Sequence, residues 1–335
     1  MKYACIEVDG ETRVGVVVDQ QQLGAAADEA IAAAYGPAML RLFPVMTDLL
    51  AAAVSRQEPP ADAPVVSLAD VRLLAPVHPT SFRDFVAFEE HIAGASAMLQ
   101  DPAAAMEVWR AAPMSLFGSP HAMVGSGEPV AAPPNSQALD FELEVGVVIG
   151  RDGRDLTPEE AADHIAGYLI VNDWSARDLL RQEVRGGLGP VKSKDFATTI
   201  GPWLVTPDEL EPARVGDRLD LRMSVSINGE VFGSDSLAHM AWSFPELISY
   251  ASRSAWIRTG DLIASGTCAG GALAEVWGRT GKQDPRPIQP GDEVTMTVDR
   301  LGTISTPVVA AAPERSPIPR ATPLAQLRAA TGVQA

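Results

Sequence analysis

The sequence predicts an α+β fold dominated by antiparallel or mixed sheet. Two observations carry that class. Leu219, Leu221, Met223, Val225 and Ile227 alternate with polar residues, the period of a half-buried strand, and Asn228-Gly229 follows as a strong hairpin signal. Helical segments lie among such strands, but without the strict alternation that a doubly wound parallel sheet requires.

Taken in order, residues 1–18 read as short strands turning at Asp9-Gly10. Residues 24–35 and 39–53 read as two helical stretches, the first rich in alanine. Residues 58–64 are polar and Pro-rich, the composition of a linker. A boundary therefore falls before Pro76, with a small N-terminal α+β domain over 1–75 and the main domain over 76–312. Within the main domain, Thr157-Pro158-Glu159-Glu160 and Ser243-Phe244-Pro245-Glu246 are capping boxes that open helices. Pro290-Gly291-Asp292 leads into a strand over 294–298, and Leu301-Gly302 into another. Residues 313–335, rich in Pro and Ala, read as a loosely attached tail.

Composition narrows the function. The 335 residues carry 26 Lys and Arg against 43 Asp and Glu, a net charge of −17, which argues against nucleic acid and anionic membrane surfaces as partners. A hydrophobic content of 46% argues against disorder. Cys5 and Cys268 are too few for a disulfide framework or a four-Cys zinc site. The N-terminus lacks the apolar core of a signal peptide, and no run of about 18 apolar residues could span a bilayer. A soluble, cytoplasmic protein is the expectation. Phosphate-loop, dinucleotide-binding, HExxH, CxxC and GxSxG motifs are all absent.

What remains is a set of carboxylates in apolar surroundings. In Asp140-Phe141-Glu142-Leu143-Glu144, strand spacing puts Glu142 and Glu144 on one face, about 7 Å apart. Such a pair is either the solvent-facing side of an edge strand or a site for a hard divalent cation. The buried-looking run Ala166-Gly167-Tyr168-Leu169-Ile170-Val171 ends in Asn172-Asp173, so Asp173 is either a ligand on a rigid element or the cap of the next helix. In the segment 83–91, a helical reading puts Asp84 and His91 on one face, where His91 is either structural or a titrating base. Lys194 lies in a glycine-punctuated segment, and Gly266 and Thr267 open the segment that ends in Glu275-Val276-Trp277. Glu275, between apolar neighbours, needs a partner.

Together these segments resemble the fumarylacetoacetate hydrolase family, over about residues 83–305. The matches are RDF…H at 83–91, ExE at 142–144, NDWSARD at 172–178, K-x-F-x-TT at 194–199 followed by GPW, and SGT…E at 265–275. The resemblance implies a mixed β-roll or β-sandwich core in a homodimer. It implies a metal set of Asp84, Glu142, Glu144 and Asp173 for Mg²⁺ or Ca²⁺, with Mn²⁺ as an alternative. It places a water-activating pair on His91 and Glu275, and oxyanion or substrate contacts on Arg177, Lys194, Gly266 and Thr267. It implies a small oxo acid or 1,3-diketone as substrate, held as a chelate while water attacks and the departing carbanion is stabilised as an enolate. Decarboxylase, hydratase and isomerase activities of the same superfamily are the alternatives, and a non-catalytic binding homologue a further one. Two positions depart from fumarylacetoacetate hydrolase proper. Leu116 stands where that enzyme has a substrate-binding Tyr, and Leu180 where it has a Gln. Both changes point to a more apolar or smaller substrate. Residues 92–136, with Trp109 and Phe117, are the candidate specificity segment and lid.

Overall fold

Three neighbouring strands are buried almost without interruption, and they form the centre of the molecule. This computed structural model describes residues 1–18, 39–45, 47–97, 101–187, 189–316 and 318–331. Its principal strands are β1 (Lys2–Val8), β2 (Glu11–Val18), β3 (Met39–Leu42), β4 (Val65–Ser67), β5 (Phe82–Phe85), β6 (Ser115–Gly118), β7 (Leu143–Ile149) and β8 (Ile165–Asp173). They continue with β9 (Thr198–Val205), β10 (Arg222–Ile227), β11 (Glu230–Ser236), β12 (Leu262–Ala264), β13 (Glu293–Val298) and β14 (Gly302–Pro307). The helices are α1 (Leu49–Ser55), α2 (Glu89–Ser96), α3 (Pro102–Ala111), α4 (Pro158–Ala162), α5 (Arg177–Arg185), α6 (Phe244–Ser252), α7 (Leu273–Thr280) and α8 (Leu324–Thr331).

The large mixed sheet runs β4-β3-β2-β1-β9-β8-β7-β12-β5-β6. Along this path only β12 and β5 pair in parallel. A four-stranded antiparallel sheet, β11-β10-β13-β14, packs over it. The central strands are buried on both faces, which is why they read as continuous apolar runs rather than alternating ones. Val145, Val147 and Ile170 join Met223, Val225, Met296, Val298 and Ile304 in one core. Val148, Leu169, Val171, Ile200 and Leu204 face the other way, onto Tyr3, Leu49 and Ala52. Each buried Val, Leu, Ile or Met among them contributes about 1.5–3 kcal/mol by leaving water.

Turn chemistry matches the sequence. Asp9 and Gly10 (φ 52° and 77°) and Asn228 and Gly229 (φ 52° and 83°) both take the left-handed conformations of a two-residue hairpin turn. Both expected capping boxes form, Thr157 with Glu160 and Ser243 with Glu246. Residues before Pro76 extend the main sheet, because β1 pairs with β9 through Lys2↔Val205 and Tyr3↔Leu204. In the tail, α8 lies exposed.

Two helix expectations are corrected. Residues 39–53 are not one helix: 39–42 form a strand paired with β2, and a helix starts only after Asp48 caps it. Pro44 intervenes, and it disfavours helical conformation in the residue before it. Residues 83–91 are likewise split. Phe82 and Phe85 are buried in β5, hydrogen-bonded between β12 and β6, and helix begins only at Glu89. The stretch 24–35 lies outside the described residues. No helix among those described is long and apolar enough to cross a membrane.

Candidate active site

Strand direction gathers the site. β7 runs antiparallel to β8 and to β12, so the start of β7 lies beside the ends of both. β5 runs parallel to β12 and sets Asp84 opposite Ala264. One end of the sheet thus receives Glu142 and Glu144 from β7 and its approach, Asp173 from the last residue of β8, and Asp84 from β5. Asp173 is a strand end, and the cap position of α5 belongs to Ala176. Glu142 and Glu144 are 3% and 0% exposed, so they belong to the interior and not to the wet face of an edge strand.

Asp84, Glu142 and Asp173 each bring a carboxylate oxygen within 4.8 Å of the others. Glu144 stands outside that group and accepts from Thr267 Oγ1 at 3.3 Å. Lys194, also buried, donates from Nζ to both Glu142 and Asp173. Arg177 donates from Nη2 to Glu142 Oε1 at 2.8 Å. Thr198 and Ser175 add hydroxyl contacts to Asp173 and Glu142.

Charges here are out of balance. Burial drives Asp84 and Glu144 well above the usual carboxylate range, and neighbouring carboxylates add to it. Asp173 also rises through burial, against the pull of Lys194. Burial opposes the charge of Glu142 too, yet Arg177 and Lys194 outweigh it and hold this group well below the range. Two oxygens, Asp84 Oδ1 and Glu144 Oε2, are buried without a hydrogen-bond partner. Such acceptors in an all-oxygen donor set fit a hard divalent cation, with Asp84, Glu142 and Asp173 to hold it and Glu144 at its border.

Beside this cluster stands a dyad. His91 on α2 and Glu275 on α7 meet at 3.0 Å between Nδ1 and Oε1. The other Glu275 oxygen accepts from the Gly270 amide at 2.9 Å. His91 Nε2 lies 3.5 Å from Glu142 Oε1, so its free nitrogen faces the carboxylates. Asp84 and His91 therefore reach the site from a strand and a separate helix, not along one helical face. Gly266 is at φ 79°, and a Cβ there would sit 2.2 Å from the Phe85 carbonyl oxygen. This glycine lets the chain before Thr267 lie against the strand of Asp84.

The two leucines also have places. Leu116 pairs directly with Asp84 across β5 and β6, which puts both side chains on one face. Leu180 is one helical turn beyond Arg177 on α5 and half-buried. Within the segment 92–136, Trp109 is buried, donates to Val86 O at 2.6 Å and stacks edge-on against Trp242. Phe117 is 69% exposed and lies beneath the Arg83 guanidinium. Sequence reading missed Asp140. It is wholly buried, accepts from Arg177 and from two amides at the start of α7, and shares its apolar run with Glu142.

Residues 80–309 match the family model described as fumarylacetoacetate (FAA) hydrolase C-terminal. The chain belongs to this family. It is 35% identical over 198 residues to oxaloacetate tautomerase YisK of Bacillus subtilis, covering 58% of this chain and 61% of that one. It is 30% identical over 249 residues to maleylpyruvate hydrolase of Aquipseudomonas alcaligenes, covering 73% and 78%. Among solved structures, fumarylacetoacetate hydrolase of Exiguobacterium antarcticum superposes with a TM-score of 0.70 at 28% identity, over 93% of this chain and all of that one. These relatives carry the names of hydrolases and of a tautomerase, so family membership alone leaves the reaction open.

Proposed function

We propose that the protein is a divalent-metal-dependent hydrolase that cleaves the C–C bond of a 1,3-dicarbonyl oxo acid, an acylpyruvate or a smaller relative of fumarylacetoacetate. The observation that carries this reading is the His91–Glu275 dyad with Nε2 turned to the carboxylates. If Nδ1–H donates to Glu275, the Nε2 lone pair is free to take a proton from water. Mg²⁺, Ca²⁺ or Mn²⁺ held by Asp84, Glu142 and Asp173 would supply Lewis acidity towards two substrate oxygens. Lys194 and Arg177 bring positive charge to the side where a tetrahedral oxyanion would develop. Thr267 and Gly266 border the substrate space, and Leu116 and Leu180 give it apolar walls. The acyl group is then short or apolar rather than a second carboxylate.

Tautomerisation of an oxo acid is the second reading, supported by the Bacillus relative, and it needs a proton shuttle but no attacking water. The cytoplasmic setting and a homodimer belong to the same proposal. The edge strand β11, with Val231 73% exposed, supports self-association. The test is turnover by metal-stripped and Mg²⁺-loaded protein on a panel of acylpyruvates, fumarylacetoacetate and oxaloacetate, with products identified by mass. Paired acid and ketone fragments formed only with metal are expected. Carbon dioxide, or an isomer of unchanged mass, would assign the sister activities instead.

A further inference from the structure

Asp140 lies behind Arg177, which it shares with Glu142, and both of its oxygens are engaged. Oδ2 accepts from Arg177 Nε at 2.8 Å and from the Ala274 amide at 3.0 Å. Oδ1 accepts from the Leu273 and Phe141 amides, both at 2.8 Å. Leu273 and Ala274 open α7, whose unpaired amides attract an anion, and the next residue is Glu275. Arg177 continues through Nη2 to Glu142. One carboxylate thus joins the helix that orients His91 to the arginine that braces the carboxylate cluster.

The link reaches further because α7 and α2 touch at glycines. A Cβ on Gly94 would sit 3.1 Å from the Cα of Glu275, and one on Gly278 would sit 2.0 Å from the Gly94 carbonyl oxygen. With backbones this close, a shift of α7 carries α2, and His91, with it.

We propose that Asp140 is a positioning residue that fixes Glu275 and Arg177 relative to each other. Its effect on rate rests on the hydrolytic reading above; its effect on α7 does not.

The test compares wild type with Asp140→Asn. The amide preserves size, but if its oxygen keeps Leu273 and Phe141, its NH₂ faces other donors, Arg177 Nε and Nη2 and the Ala274 amide. Hydrogen exchange at residues 273–275 should quicken while β7, β8 and β9 stay protected. For the Mg²⁺-loaded enzyme, kcat should fall on the order of 10²-fold, as a small misplacement of reacting groups does, with KM little changed. Combined with Glu275→Gln, the two losses should multiply to less than their product. If the asparagine variant does not fold, Asp140→Ser serves, because its hydroxyl can cap α7 while offering Arg177 no charge. A purely structural role would lower the melting temperature, leave kcat per folded molecule unchanged and overturn the proposal. If wild type shows no C–C cleavage, the hydrolytic reading falls alone. Unchanged exchange at 273–275 would then overturn the role of Asp140 by itself.

Discussion

His91 can act as a base only if its ring nitrogens do different work. Glu275 engages Nδ1 and leaves Nε2 towards the carboxylates. Replacing His91 with Ala should therefore lower kcat on the order of 10²–10⁴-fold while calorimetry still detects divalent-ion binding. Full turnover by the metal-loaded variant would refute its role. Gly266 supports the same centre from the backbone. Gly266→Ala should destabilise the fold by about 1–3 kcal/mol through its left-handed φ alone. The added Cβ also presses on Phe85, next to Asp84, so Mg²⁺, expected to raise the melting temperature of the wild type, should raise that of the variant less. An undiminished Mg²⁺ effect would show that Asp84 is not held this way. Acidic residues embedded in apolar runs made Glu142, Asp173 and Glu275 legible, because an isolated carboxylate there needs a partner. Asp140 stood in the same run and was not legible. Its partners come from α5 and from the start of α7, 37 and 133 residues away.

At the scale of elements, turns and caps were legible and buried strands were not. Asn228-Gly229 and the two capping boxes declare themselves through local chemistry. By contrast β5, with both phenylalanines buried, shows no alternation and reads equally well as helix. Its pairing with β12, some 180 residues later in the chain, decides the matter. Asp292 locks the second sheet in a comparable long-range way. It accepts from Arg286 at 2.7 and 2.9 Å, from Asn228 Nδ2 at 2.9 Å and from the Gln289 amide at 2.8 Å. Its hydrogen bonds with Arg286 hold the carboxyl well below the ordinary range, against a smaller effect of burial. The unfolded chain then binds more protons than the folded one in acid. This stabilisation is full above about pH 4 and is lost as pH falls through the folded value. Asp292→Asn should cost about 1–3 kcal/mol at neutral pH. Urea melts should show the gap narrowing below about pH 4. A gap of constant size into acid would contradict the assignment.

The whole molecule places a buried, acid-rich centre inside a protein of net charge −17. An anionic oxo acid entering it needs local positive charge, which Lys194, Arg177 and a divalent ion together would provide. The large sheet holds the carboxylates at or near strand ends, and the helices α2 and α7 bring the dyad to them. Family membership was legible in the order of five motifs, whereas the choice among hydrolysis, decarboxylation and tautomerisation depends on what water does. Turnover of an acylpyruvate in ¹⁸O-labelled water with Mg²⁺ tests that choice most directly. Hydrolysis consumes one water, leaves its oxygen in the carboxylate of the released acid and gives pyruvate as the second fragment. A single ¹⁸O in that acid, dependent on both metal and His91, is expected. Loss of substrate with no label in any new carboxylate would contradict it.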